Sequence, residues 1–137
     1  MIPVKQKRVH EENVTNGDCW RSCIESILEI TSDSTLPYWE MGEEFEDHYD
    51  KMMLAINELG FAYHEVLVKD LQINELLSPD TYGYCLAIGL SPRGTETNPM
   101  RHSVVWKNGI AFDPHPSNDG ILNVDTFGIF NKILKEA

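Results

Sequence analysis

The chain predicts an α+β domain, and three observations carry that prediction. Trp20, Cys23, Ile24, Ile27 and Leu28 recur at three- and four-residue spacing, the stripe of a helix face turned toward a core. Phe45, Tyr49, Met52, Met53 and Ile56 form a second such face. Further on come the apolar, aromatic run Tyr82 to Leu90 and an Asn108-Gly109 pair between apolar segments, which are strand and hairpin signals. Helices first and strands later is the order of an α+β fold. The 137 residues are one domain's worth of chain, so 1–137 is read as a single unit.

In chain order, Asn16-Gly17-Asp18 reads as a turn running into a helix N-cap, with the first helix following at once. A second helix is expected from about Tyr38 to Leu59, with Gly60 as its stop. Phe61 to Val68 reads as extended. Asp70 to Leu77 reads as a short capped helix ended by Pro79. Tyr82 to Leu90 suits a buried strand, and Ser91 to Met100, with Pro92, Gly94 and Pro99, a loop. His102 to Trp106, a Lys107-Asn108-Gly109 turn and Ile110 to Phe112 make a hairpin. Asp113 to Gly120 is a second loop, and Ile129 to Leu134 a short final element.

A composition of 42% apolar and 24% charged residues fits a soluble globular protein better than a disordered one. A net charge of -11 argues against nucleic acid as a partner, since that would need a basic stripe. No run approaches the roughly 20 apolar residues of a membrane span. The first residues lack the apolar stretch of a signal peptide, so the expected location is cytoplasmic. Three cysteines do not suggest a disulfide framework. Cys19 and Cys23 have no second close pair to complete a zinc site, so no metal and no cofactor are expected.

The chemistry lies in Cys19, His102 and Asp113. A thiol nucleophile needs a base to take its proton and a third group to orient that base. Cys19 falls in the first turn of a predicted helix, where exposed N–H groups favour the thiolate. Cys23 lies one turn deeper on the apolar stripe, so its ordinary role is packing. His102 opens a strand and Asp113 closes its neighbour, so the hairpin brings both to the same open end. A carboxylate there would hold one imidazole nitrogen while the other faces the thiol.

At these residues the chain resembles the papain-like cysteine peptidases, and among them the small bacterial and phage C39-like ones. Gly17-Asp18-Cys19-Trp20 is similar to the segment around their nucleophile, and His102-Ser103-Val104-Val105-Trp106 to the strand bearing their histidine. Asp113 falls where that fold places its orienting Asn or Asp. The resemblance implies a papain-like fold, with an N-terminal helix carrying the Cys packed on a small antiparallel sheet carrying His and Asp. It also implies a glutamine amide in the oxyanion hole. Gln6, thirteen positions before Cys19, is the only upstream glutamine; Asn13 is the alternative. Trp20, Trp106 and Trp39 are candidates for the substrate cleft, each with packing as its more ordinary role. His115, two residues past Asp113, is expected near the site.

The function expected on these grounds is hydrolysis of a peptide, isopeptide or other amide bond in a peptide or protein substrate, through an acyl-enzyme. Acyl transfer and glutamine deamidation use the same residues. A catalytically silent binding or inhibitory module is the reading from another class.

Overall fold

The first helix, α1 (Cys19–Leu28), ends where Glu29 turns left-handed at φ 60° and Ile30 N–H reaches back to the Glu25 carbonyl at 2.8 Å. In the computed structural model, residues 1–70 and 83–133 are described. Asp18 holds the N-cap position, yet its side chain makes no cap hydrogen bond. The carboxylate instead accepts from the backbone N–H groups of Lys7 and Arg8 at 3.0–3.2 Å. This ties the N-terminal segment along the helix, where Val4 N–H also meets Ser26 Oγ at 2.9 Å. α1 is therefore covered on more than its apolar stripe: Arg21, Ser22, Glu25 and Ser26 are buried beside Cys23, Ile24 and Ile27. The buried Arg21 and Glu25 pair at 2.9 Å, one turn apart.

The second helix, α2 (Phe45–Glu58), starts seven residues later than the expected Tyr38. The segment before it is occupied otherwise: Gly42 is left-handed at φ 82°, and Trp39 Nε1–H donates to the Glu43 carbonyl at 2.8 Å. Its inner face keeps four of the five expected residues, with Met52 and Ile56 in the core and Tyr49 and Met53 packed against it, but extends toward His48 and Ala55. His48, Met52, Ala55 and Ile56 are buried, whereas Phe45 is exposed.

Five strands follow: β1 (Phe61–Leu67), β2 (Cys85–Leu90), β3 (Arg101–Trp106), β4 (Ile110–Phe112) and β5 (Thr126–Lys132). They form one antiparallel sheet in the order β1-β5-β2-β3-β4. The expected final element at Ile129–Leu134 is thus a longer strand that begins at Thr126 and inserts between β1 and β2. The hairpin turn forms as its sequence requires, with Asn108 at φ 57° and Gly109 at φ 131°. Val68–Asp70 is a single 3₁₀ turn; the rest of the helix expected over Asp70 to Leu77, Tyr82 and Leu134 lie outside the described residues.

The sheet buries both faces. On one, Leu86, Val105 and Phe130 pack against Cys23, Ile24 and Ile27 of α1 and Met52 and Ile56 of α2. On the other, Cys85, Ala87, Val104 and Phe127 are covered by Ile121 and Val124 from the long connection before β5. That connection presses on β2 at Gly89, where a β-carbon would stand 1.7 Å from the Asn123 carbonyl oxygen. Gly89 pairs with His102 in register, so this close approach also fixes the site-bearing end of β3. No helix among the described residues is long and apolar enough to cross a membrane.

Candidate active site

Asp113 follows β4 directly and is 2% exposed. Its Oδ1 meets His102 Nε2 at 2.7 Å and accepts the His115 backbone N–H at 2.9 Å; its Oδ2 accepts the Gly120 N–H at 2.8 Å. Burial raises the Asp113 carboxyl, but the His102 bond and the two backbone donors outweigh it and hold it below the ordinary range. An ionised Asp113 can only accept, so a neutral His102 carries its proton on Nε2 and keeps a lone pair on Nδ1. Nδ1 makes no hydrogen bond among the described residues. Burial lowers the imidazole below its ordinary range, against the pull of Asp113, with Arg93 adding to the lowering. The ring is neutral at pH 7, held in one tautomer, with its basic nitrogen unengaged.

Cys19 is half-buried at the start of α1. Burial raises its thiol, and the Asp18 carboxylate adds to this. The Ser103 backbone N–H, the Trp20 N–H and the Ser103 hydroxyl act in the opposite direction without reversing the balance. The helix start therefore supplies the expected N–H, but desolvation prevails and the resting group is the protonated thiol. Cys23 is pushed well up by burial and next by Cys19 and Asp113, so both lie within electrostatic reach of this core thiol.

The hairpin thus brings His102 and Asp113 together. The Ser103 N–H and hydroxyl act on the Cys19 sulfur, whereas His102 is not among the groups that do, and among the described residues no hydrogen bond joins the sulfur to that ring. Alternation along β3 explains the difference: Val105 packs on the α1 face and Val104 on the other, so Ser103 shares the face of Val105 and His102 that of Val104. Ser103 is a residue that the sequence reading passed over. Its signal is a small polar side chain between His102 and the apolar Val104, Val105 and Trp106.

Gln6 lies between the two halves. Its backbone N–H donates to the Pro114 carbonyl at 3.0 Å, and a β-carbon on Gly17 would come within 3.6 Å of its amide nitrogen. The amide donates to the Arg8 carbonyl at 2.9 Å, while its oxygen is buried without a partner. Asn13 is exposed and left-handed, at φ 61°, in the tight turn closed by Glu11 and Thr15.

Two of the tryptophans expected near a cleft, Trp20 and Trp106, are occupied in packing. Trp20 stacks on Tyr49 at 5.6 Å and donates to the Tyr63 hydroxyl at 3.2 Å. Trp106 packs edge-on against Phe127 at 5.8 Å, at the end of β3 remote from His102. His115 does join the site, edge-on to His102 with ring centroids 6.0 Å apart. A groove of about 740 Å³ runs past Asn16, three residues before Cys19, and Val9, Val14, Trp39 and Met41 line it.

No group of three or more His, Cys, Asp or Glu among the described residues is arranged to hold a metal. No protein-family model matches the chain, and neither a curated protein nor a solved structure matches it.

Proposed function

We propose that the chain is a thiol hydrolase of the papain-like, C39-like kind, cleaving an amide bond in a peptide or protein substrate. The observation that carries this reading is the Asp113–His102 pair: a buried carboxylate, held by three donors, fixes an imidazole in the tautomer a general base requires. In this reaction Cys19 Sγ attacks the carbonyl carbon while its proton passes to His102 Nδ1, which requires the sulfur, at rest beside Ser103, to reach the ring at the open end of β3. Because thiol and imidazole are both neutral at rest, proton transfer accompanies attack. The Cys19 backbone N–H and the remaining Gln6 amide hydrogen receive the oxyanion. His102 returns the proton to the leaving amine. It then takes one from water, which releases the acid and restores the thiol.

The test is turnover of amide substrates by the wild type and by folded Cys19→Ala and His102→Ala variants, with a search for the acyl-enzyme by intact mass. Each substitution is expected to lower kcat by about a thousandfold or more. Turnover retained in folded Cys19→Ala overturns the assignment. A second reading, a binding module without turnover, is favoured by one observation: among the described residues no hydrogen bond joins the resting thiol to His102. Product mass separates hydrolysis from the acyl transfer and deamidation that the same residues support.

A further inference from the structure

Three of the four arginines have their charge closely matched. Arg8 meets Glu40 at 3.2 Å, Arg21 meets Glu25 at 2.9 Å, and Arg101 grips both oxygens of Asp125 at 2.6 and 2.8 Å. Arg93 differs. Its Nη1 donates to Ser117 Oγ at 3.0 Å, and its nearest carboxylate, the half-exposed Asp119, stands 3.9 Å away. Among the described residues its Nε and Nη2 have no hydrogen-bond partner. The side chain is only 23% exposed, so its open donors are more than a solvated surface charge.

Its position gives those donors meaning. Ser117 Oγ, which Arg93 holds, is 2.8 Å from His115 Nδ1, and the His115 N–H is bound to Asp113. A short chain of hydrogen bonds thus links Arg93 to the carboxylate that orients His102. The charge of Arg93 acts on both imidazoles, lowering each. In a chain of net charge -11, a cation with an open planar fork stands beside the reacting pair.

We infer that Arg93 is a specificity-determining residue that binds a carboxylate of the substrate next to the bond on which His102 acts; this rests on the hydrolase reading. The guanidinium fork matches a carboxylate in a bidentate, charge-assisted pair. The carboxylate is either the free end of a peptide or an acidic side chain beside the scissile bond. Asp119, loosely held, is displaced from the vicinity of Arg93 when it binds.

Binding is measured on the intact wild-type chain by following the His102 and His115 ring signals by NMR. Three probes are titrated: N-acetyldiglycine, with a terminal carboxylate; the α-amide of N-acetylglutamate, with a side-chain carboxylate; and neutral N-acetyldiglycine amide. At least one carboxylate probe is expected to shift both rings saturably and to bind about tenfold more tightly than the amide. Which one does so identifies the source of the carboxylate. Arg93→Gln abolishes the preference, Arg93→Lys weakens it by losing the fork, Asp119→Asn strengthens it, and Arg101→Gln leaves it intact. Equal binding of amide and carboxylates, no saturable shift with either carboxylate, or a preference undiminished in both Arg93 variants overturns the inference. None of these readings depends on turnover. A negative result here leaves the hydrolase assignment standing, and turnover by folded Cys19→Ala refutes that assignment separately.

Discussion

Around Asp113, three donors converge on one carboxylate within 2.9 Å, and the histidine they orient is 3% exposed. Around Cys19, the sulfur is half-buried, touched by N–H groups that fail to ionise it, and the neighbouring Asp18 carboxylate is turned toward Lys7 and Arg8. One half of the candidate site is organised before any substrate arrives, while the other is held in its unreactive form. The lesson is about division of labour. Under the proposed mechanism the base is held by backbone donors of a loop, whereas the donors around the Cys19 sulfur, from Ser103 and Trp20, leave the thiol protonated.

The largest effect expected from this contrast comes from removing the carboxylate. Asp113→Ala strands the imidazole and the His115 and Gly120 N–H groups in a buried place. The expected loss is about 3–5 kcal/mol in urea unfolding, against about 1 kcal/mol for Cys19→Ala. Equal losses at the two positions would erase the distinction between an ordered and a loosely held half.

Next is Gly89→Ala. The new β-carbon meets a backbone carbonyl, which cannot rotate aside, so the 121–125 segment must leave β2 opposite His102. A loss of about 3 kcal/mol is expected. The His102 ring signals should move with it, while the alkylation rate of Cys19 stays near wild type. Gly128→Ala, whose β-carbon meets the Tyr63 side chain first rather than a backbone carbonyl, is the milder control.

His48 sharpens the comparison, being as buried as His102 but without a carboxylate closer than Glu43 at 3.9 Å. Its Nδ1 is buried without a partner, and it stacks on Trp39 at 6.0 Å. Burial lowers the pKa of His48, as it does for His102 and His115. For such a group the unfolded chain binds the proton more tightly. Its contribution is complete above the unfolded value of about 6.5 and is lost as the pH falls through the lower folded value. Asp113, likewise lowered, adds a further loss as the pH drops past about 3.9 toward its folded value. His48→Phe is expected to raise stability at pH 7 by about 1 kcal/mol, by removing the unpaired nitrogen. It should also make the loss on acidification from pH 6.5 shallower in unfolding curves at stepped pH. An unchanged slope would assign that acid sensitivity to the His102 and His115 corner alone.

The parts of this arrangement that were legible in the sequence are the local ones. Asn108-Gly109 dictates the hairpin, and the hairpin alone brings His102 to Asp113. The apolar spacing of α1 locates Cys19 in its first turn. What stayed hidden depends on partners far along the chain. Gln6 is fixed by Pro114, and Gly89 by Asn123. Asp18 looked like a cap because capping is a local rule, but two backbone donors ten and eleven residues upstream claimed its carboxylate. The α2 start was misplaced for a similar reason, since Trp39 satisfies its donor on Glu43 and stacks on His48 instead of entering the helix. Strand alternation at β3 is a local rule too, yet its consequence for Cys19 emerges only once the two sheet faces are known.

The smallest effect bears on who holds the sulfur. The Ser103 hydroxyl lowers the Cys19 thiol, and its backbone N–H, which no side-chain change removes, does so more strongly. Ser103→Ala should therefore move the pH midpoint of iodoacetamide alkylation upward from a wild-type value already above the free-thiol range of about 8.5. Stability should change by less than about 0.5 kcal/mol. His102→Ala should leave the midpoint where it is, because no hydrogen bond joins that ring to the resting thiol. An upward shift in the His102 variant with none in Ser103→Ala would mean that the imidazole already holds the thiolate as an ion pair. The nucleophile would then be prepared before substrate binding, and the asymmetry between the two halves of the site would disappear.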